Sequence, residues 1–188
     1  MENTEIERKY KITKNIYDEV TELLNNKNLN FKLEKQNDIY FSPTNFPFFG
    51  GEIDNEALRI RILDDKNILS YKKFYYATDD MPAHCDEHEM VIEDVEKMKL
   101  ILKDLRINEA FTLKKTRKNY IYENIEIALD EVEDLGYFIE FELLDSSNLD
   151  KSSKIMDELL KEFKITEDMR NYDGYAYLLF NKNNIANF

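Results

Sequence analysis

Residues Glu5–Ile12 read EIERKYKI. As an extended strand, this segment places Glu5, Glu7, Lys9 and Lys11 on one face. Ile6, Tyr10 and Ile12 fall on the other, with Arg8 among them. A strand of this kind buries its apolar face and has two uses for the charged one. That face either meets water or lines a site that handles something charged. The rest of the chain decides between them.

The same period of two recurs. In EALRIRIL, Leu58, Ile60 and Ile62 alternate with Arg59 and Arg61, and LSYKK sets Ser70 and Lys72 against Leu69 and Tyr71. DEHEMVIE puts Glu87 and Glu89 on one face, and LKKTRK does so with Lys115 and Arg117. EIALDEV opposes Ile127 and Leu129 to Ala128 and Asp130. YFIEFELL opposes Tyr137, Ile139, Phe141 and Leu143 to Glu140 and Glu142. With the first, this makes about seven strands. Three amphipathic helices accompany them: Ile16, Val20, Leu23 and Leu24 after Thr13; Val95, Met98, Leu102 and Leu105 behind an Asp94 N-cap; and Ile155, Leu159, Leu160 and Phe163 behind Ser152 and Ser153. A shorter helix is expected around Tyr175–Phe180.

Water-facing strands usually mix their polar residues, but these doublets are of one sign. Arg59/Arg61 and Lys115/Arg117 are basic; Glu87/Glu89 and Glu140/Glu142 are acidic. Closing the strands into a barrel would remove the sheet edges and turn such faces inward, with the helices covering the outside. The expected fold is therefore α+β, an antiparallel β-barrel with helices packed outside. Residues 1–180 read as one domain and 181–188 as a frayed, Asn-rich tail.

Composition narrows the function. A net charge of −13 opposes a nucleic-acid or anionic-membrane surface, yet a local basic cluster can still hold a small anion. The four glycines leave no Walker loop and no GxGxxG, so phosphate would have to be held by side chains. The single cysteine, Cys85, excludes an internal disulfide, and no leader or spanning stretch is visible, which reads as cytoplasmic. His84, Cys85 and His88 are poorly spaced for zinc. The loop NFPFFGG, Asn45–Gly51, reads as apolar capping of a sheet end, with a lid or a dimer contact as alternatives. A homodimer stays open.

These motifs resemble the CYTH superfamily, the triphosphate tunnel metalloenzymes, a group that includes class IV adenylyl cyclases, thiamine triphosphatases and inorganic triphosphatases. The family's ExExK corresponds to Glu5-Ile6-Glu7-Arg8-Lys9. QNDIYF (Gln36–Phe41) resembles the segment before the second strand, and ALRIR (Ala57–Arg61) the arginine strand. LSYK ending at Lys72, EHEMVIED with Glu89, LKKTR, and IALDEVEDLGYFIEFE follow in the family's order. The resemblance runs from Glu5 to about Tyr177 and is strongest to the class IV cyclase-like branch. It implies a closed barrel of about eight strands forming a tunnel.

The resemblance also implies roles. Lys9, Arg59, Arg61, Lys72, Lys115 and Arg117 would bind phosphate, with Arg170 near the tunnel mouth, since arginine's fork matches two phosphate oxygens. Glu5, Glu7, Asp130, Glu140 and Glu142, with Glu89 around them, would serve Mg²⁺ or Mn²⁺, hard cations that take oxygen ligands. Glu5, Glu140 and Lys9 are the catalytic candidates. The substrate would be a small triphosphate: ATP, thiamine triphosphate or tripolyphosphate. Hydrolysis is the leading reaction because it needs no nucleoside pose; cyclisation of ATP to cyclic AMP is the alternative, and a non-catalytic polyphosphate-binding module a further one.

Overall fold

The computed structural model describes residues 7–49, 55–78, 81–144 and 149–183, with backbone alone for 76–78, 81–84 and 149–151. In chain order the elements are β1 (Glu7–Ile12), α1 (Lys14–Asn26), β2 (Phe31–Pro43), β3 (Glu56–Ile62), β4 (Asn67–Thr78) and β5 (Met81–Ile92). There follow α2 (Val95–Asp104), β6 (Ile107–Tyr122), β7 (Ile125–Val132), β8 (Gly136–Leu143), α3 (Leu149–Glu162), β9 (Arg170–Asn171) and α4 (Tyr175–Asn183). The nine strands have the hydrogen-bonded order β5-β4-β3-β2-β6-β7-β8-β1-β9. The architecture is thus α+β with an antiparallel sheet, and the described order begins at β5 and ends at β9.

Two compact units divide the chain, one comprising 1–34 and 115–172, the other 35–114 and 173–188. In the first, the apolar positions of β1, β6, β7 and β8 meet α1 and α3. Tyr10, Tyr120, Ile127, Leu129, Ile139 and Phe141 pack with Val20, Leu24, Met156, Leu159 and Phe163. This is the period-two face of the strands seated on period-3.6 stripes of the helices. Thr13 caps α1, its Oγ1 accepting from the Ile16 amide at 3.3 Å. The β7–β8 turn needs left-handed backbone, supplied by Asp134 at φ 65° and Gly136 at φ 97°.

In the second unit, Ile39, Phe41, Leu58 and Ile60 on β2 and β3 pack with Ile92 and with Leu102 of α2. Asp94 caps α2 as expected, accepting from the Lys97 amide at 2.9 Å. Leu105 belongs to no buried stripe: it is the C-cap residue of α2 and is exposed. On the opposite face of β2, Tyr40 stacks on Phe111 with ring centroids 5.1 Å apart, and Phe49 packs edge-on to both. Phe180 of α4 lies 5.8 Å from Phe49.

Several expectations are corrected. Gln36–Phe41 does not precede the second strand but lies inside β2, paired with β3 from Asn37↔Ile62 to Phe41↔Leu58. Within it Asp38 stands opposite Arg61 and is held by it. Ser152 does not cap α3, which starts at Leu149; it is buried within the helix and accepts from Asn124 Nδ2 at 2.7 Å. Residues 181–183 belong to the last turn of α4, while 184–188 lie outside the described residues. The Phe46–Gly51 loop is divided in role, with Phe49 buried and Phe46 exposed; Gly50 and Gly51 lie outside the described residues.

Candidate functional site

In the first unit, strand register converts alternate charged residues into a network. Arg117 of β6 stands opposite Asp130 of β7, and Lys9 of β1 opposite Glu140 of β8. Arg117 grips Asp130 with a fork, Nε to Oδ1 at 2.7 Å and Nη2 to Oδ2 at 2.5 Å. Lys115 Nζ reaches the same Oδ2 at 3.1 Å. Arg117 also donates to Glu140, whose other oxygen lies 3.9 Å from Lys9 Nζ. Lys9, Lys115, Asp130 and Glu140 are all at most 9% exposed. Buried charges of both signs must be paired to be tolerated, and here they are.

The electrostatics follow from this pairing. Burial works against ionisation of Asp130, but Lys115 and Arg117 outweigh it and hold the carboxyl below its usual range. Burial likewise opposes ionisation of Glu140; Arg117 and Lys115 overcome it, so Glu140 also titrates low. One step along the strands the sign changes. Glu7 stands opposite Glu142, and Glu142 opposite Glu126, so three carboxylates sit on three neighbouring strands. Like charges in register disfavour each other. Burial lifts Glu126 above the usual carboxylate range; Arg117 opposes that lift, and Glu34, Glu140 and Asp130 add to it.

The second unit repeats the arrangement. Asp38 of β2 is 1% exposed and stands opposite Arg61 of β3. Arg61 holds it through Nε to Oδ1 and Nη2 to Oδ2, both at 2.8 Å. Arg59, two residues back, reaches Oδ2 through Nη1 at 3.4 Å and stands opposite Tyr40 across the ladder. Its Nε is buried without a hydrogen-bond partner. On the next strands Lys72 Nζ pairs with Glu87 at 2.9 Å, and Ser70 donates to the same carboxylate at 3.1 Å. Burial opposes ionisation of Glu87, but Lys72, Ser70 and Arg59 together hold it low.

The expected site residues thus fall into groups. Lys9, Lys115, Arg117, Asp130 and Glu140 come together in one network, and Arg59 and Arg61 in another. Lys72 meets Glu87, whereas Glu89 is exposed. Arg170 stands opposite Tyr10, and Asn171 opposite Lys9. Arg170 therefore shares the face of Tyr10, over whose ring its guanidinium sits at 5.0 Å, and not the face of Lys9. His88 stacks on Tyr71. Glu5 lies outside the described residues.

Asp38, Tyr40 and Glu126 escaped the sequence reading. Each was visible in principle as a polar position in phase with a charged strand face. Asp38 and Tyr40 fall in a segment whose resemblance places it before a strand, and Glu126 lies on the strand of Ala128 and Asp130 without an oppositely charged neighbour in its own segment.

Among the described residues, no three His, Cys, Asp or Glu side chains converge closely enough to chelate an ion unaided. The donor set nonetheless suits Mg²⁺ or Mn²⁺, because Mg²⁺ sites need only one or two carboxylates, completed by water and substrate phosphate. Glu7, Glu126 and Glu142 offer hard oxygens in a row, and a cation there would relieve their mutual repulsion.

Residues 3–170 match the family model described as the CYTH domain. A candidate adenylate cyclase of Methanocaldococcus jannaschii is 40% identical over 147 residues, 76% of this chain and 81% of that protein. The solved structure of the PH1819 protein from Pyrococcus horikoshii OT3 superposes with a TM-score of 0.73 at 29% identity, covering 95% of this chain and 99% of that one. A candidate adenylyl cyclase from Hippeastrum, described as having a dominant triphosphatase activity, has a TM-score of 0.68 at 18% identity, covering 98% and 99%. At that identity the likeness is one of fold.

Proposed function

Because the chain belongs to the CYTH domain family, we propose that it is a metal-dependent enzyme acting on small triphosphates, with hydrolysis as its main reaction. The observation that carries this reading is the buried Lys9–Glu140–Arg117–Asp130–Lys115 network. Such a cluster is costly to build and does nothing for a surface that merely meets water. The reading also takes the antiparallel sheet as closed, the tunnel form of the family.

Lys9, Lys115 and Arg117, with Arg59, Arg61 and Lys72, are assigned to the phosphate chain, where each added cation offsets charge that a triphosphate brings. Asp130 and Glu140 keep those cations ionised and oriented. Asp130, with both oxygens engaged by Lys115 and Arg117, is better suited to that role than to a metal. Glu7 and Glu142, with Glu126 beside them, would hold Mg²⁺ or Mn²⁺. A cation bound there supplies charge neutralisation at the phosphate oxygens. Cyclisation of ATP uses the same cradle with a ribose 3′-hydroxyl as nucleophile, and it is the reading favoured by the Methanocaldococcus relative's name.

Incubation with tripolyphosphate, ATP or thiamine triphosphate, each with Mg²⁺, Mn²⁺ or EDTA, tests the proposal. Metal-dependent phosphate release is expected. Cyclic AMP with equimolar pyrophosphate would replace hydrolysis by cyclisation, and triphosphate binding without turnover would leave only a binding module. Arg59→Ala is expected to raise the KM for the preferred triphosphate by about tenfold or more, the scale of losing hydrogen bonds to a charged group. A wild-type KM in that variant would remove Arg59 from the phosphate site.

A further inference from the structure

We propose that Asp38 is a positioning residue that sets two unlike arginines for phosphate, occupying the fork of Arg61 so that Arg59 presents the free donor. The proposal rests on the phosphate-binding reading above. It starts from register: Asp38 stands opposite Arg61, and Tyr40 opposite Arg59, on adjacent antiparallel strands. Residues facing each other across such a ladder point to the same side. All four polar groups therefore share one face of β2 and β3, away from the Ile39, Phe41, Leu58 and Ile60 core.

The two guanidinium groups are bound differently. Arg61 gives Nε and Nη2 to the two oxygens of Asp38, the bidentate geometry it would otherwise offer to a phosphate. Arg59 gives Asp38 only Nη1, at a longer 3.4 Å, and stands opposite Tyr40. Tyr40 is itself fixed between Phe49 and Phe111. What remains is the Arg59 Nε–H, buried and without a partner. An orphaned buried donor costs free energy comparable to a lost hydrogen bond, so it marks a place where an acceptor belongs. A phosphate oxygen is an acceptor of the right charge.

Asp38 thus does more than neutralise. Without it, two arginines two residues apart on one strand would repel each other and sample several rotamers. With it, one is fixed and the other is held partly open. The conformational freedom lost on substrate binding is then small, which appears as affinity. This role also explains why a carboxylate is tolerated in the middle of a strand at 1% exposure.

The test uses the full chain with tripolyphosphate and Mg²⁺. Asp38→Asn keeps the size of the side chain and one acceptor oxygen but removes the charge and the second acceptor. Its KM is expected to rise about tenfold, with kcat changed less than about threefold, the pattern of lost ground-state binding. Adding Arg59→Ala to Asp38→Asn should cost less than Arg59→Ala costs alone, since both act through the same guanidinium. Urea midpoints measured alongside separate binding from folding. A wild-type KM in Asp38→Asn overturns the proposal, as do strictly additive effects, or a fall in turnover that only tracks the fraction folded. Wild-type protein inactive on every triphosphate would instead overturn the functional reading on which it rests.

Discussion

Glu7→Gln is expected to cut metal-dependent turnover by about three orders of magnitude, equivalent to ~4 kcal/mol of barrier, while leaving the fold intact. Glu7 heads the row of carboxylates that continues through Glu142 and Glu126. Its side chain is 40% exposed and lies 4.0 Å from the Lys9 ammonium, which keeps Glu140 as a partner when Glu7 is neutralised. Gln keeps the size and one oxygen but loses the anionic charge that a hard divalent cation requires. Two readouts separate a metal role from a general one. The apparent affinity for Mn²⁺, measured by titration calorimetry, should weaken along with turnover, and excess Mn²⁺ should restore part of the rate. Unchanged turnover and unchanged Mn²⁺ affinity would take Glu7 out of the metal site.

Asp130→Ala should have the largest effect on folding, a loss of ~3 kcal/mol, toward the low end for breaking a buried ion pair. It strands Lys115, which is 7% exposed, next to Arg117, although Glu140 still partners the latter. Asp130→Asn should cost clearly less, because an acceptor remains. The acid limb of stability follows from the same network. Asp130, Glu140 and Glu87 all titrate below their usual values in the folded state. Each therefore contributes stability that is complete above the ordinary carboxylate pKa of about 4 and is lost as pH falls through the lower folded values. Glu126, with its raised value, acts in the opposite sense, favouring the fold most when it is protonated. Urea unfolding between pH 7 and about pH 2 should show the decline, and Asp130→Asn should flatten it. A wild-type midpoint for Asp130→Ala would mean that the network does not form in solution.

The alternation in EIERKYKI, EALRIRIL and YFIEFELL was enough to assign strands and to tell the packed face from the charged one. That follows from the strict period of two, which no other backbone geometry reproduces. Helices were equally legible where an apolar stripe followed a capping side chain, as at Thr13 and Asp94. The reading failed where a local propensity disagreed with a tertiary partner. Gln36–Phe41 resembles a segment before a strand but lies inside β2, where Asp38 has Arg61 across from it. Ser152 looks like a cap but is buried inside α3 because Asn124 donates to it.

The sequence by itself determined which residues carry charge, which side of each strand they occupy, and the family to which their order is similar. Those properties are encoded locally, in residue type and in spacing of two. Pairing across strands was decided only by the tertiary structure. Register placed Glu142 between Glu7 and Glu126, gave Asp130 to Lys115 and Arg117, and turned Arg170 to the face of Tyr10. A shift of one residue in any ladder would turn that strand's charged face over to the packed side. Register depends on residues distant in sequence, such as Glu7 and Glu142, and period alone does not fix it.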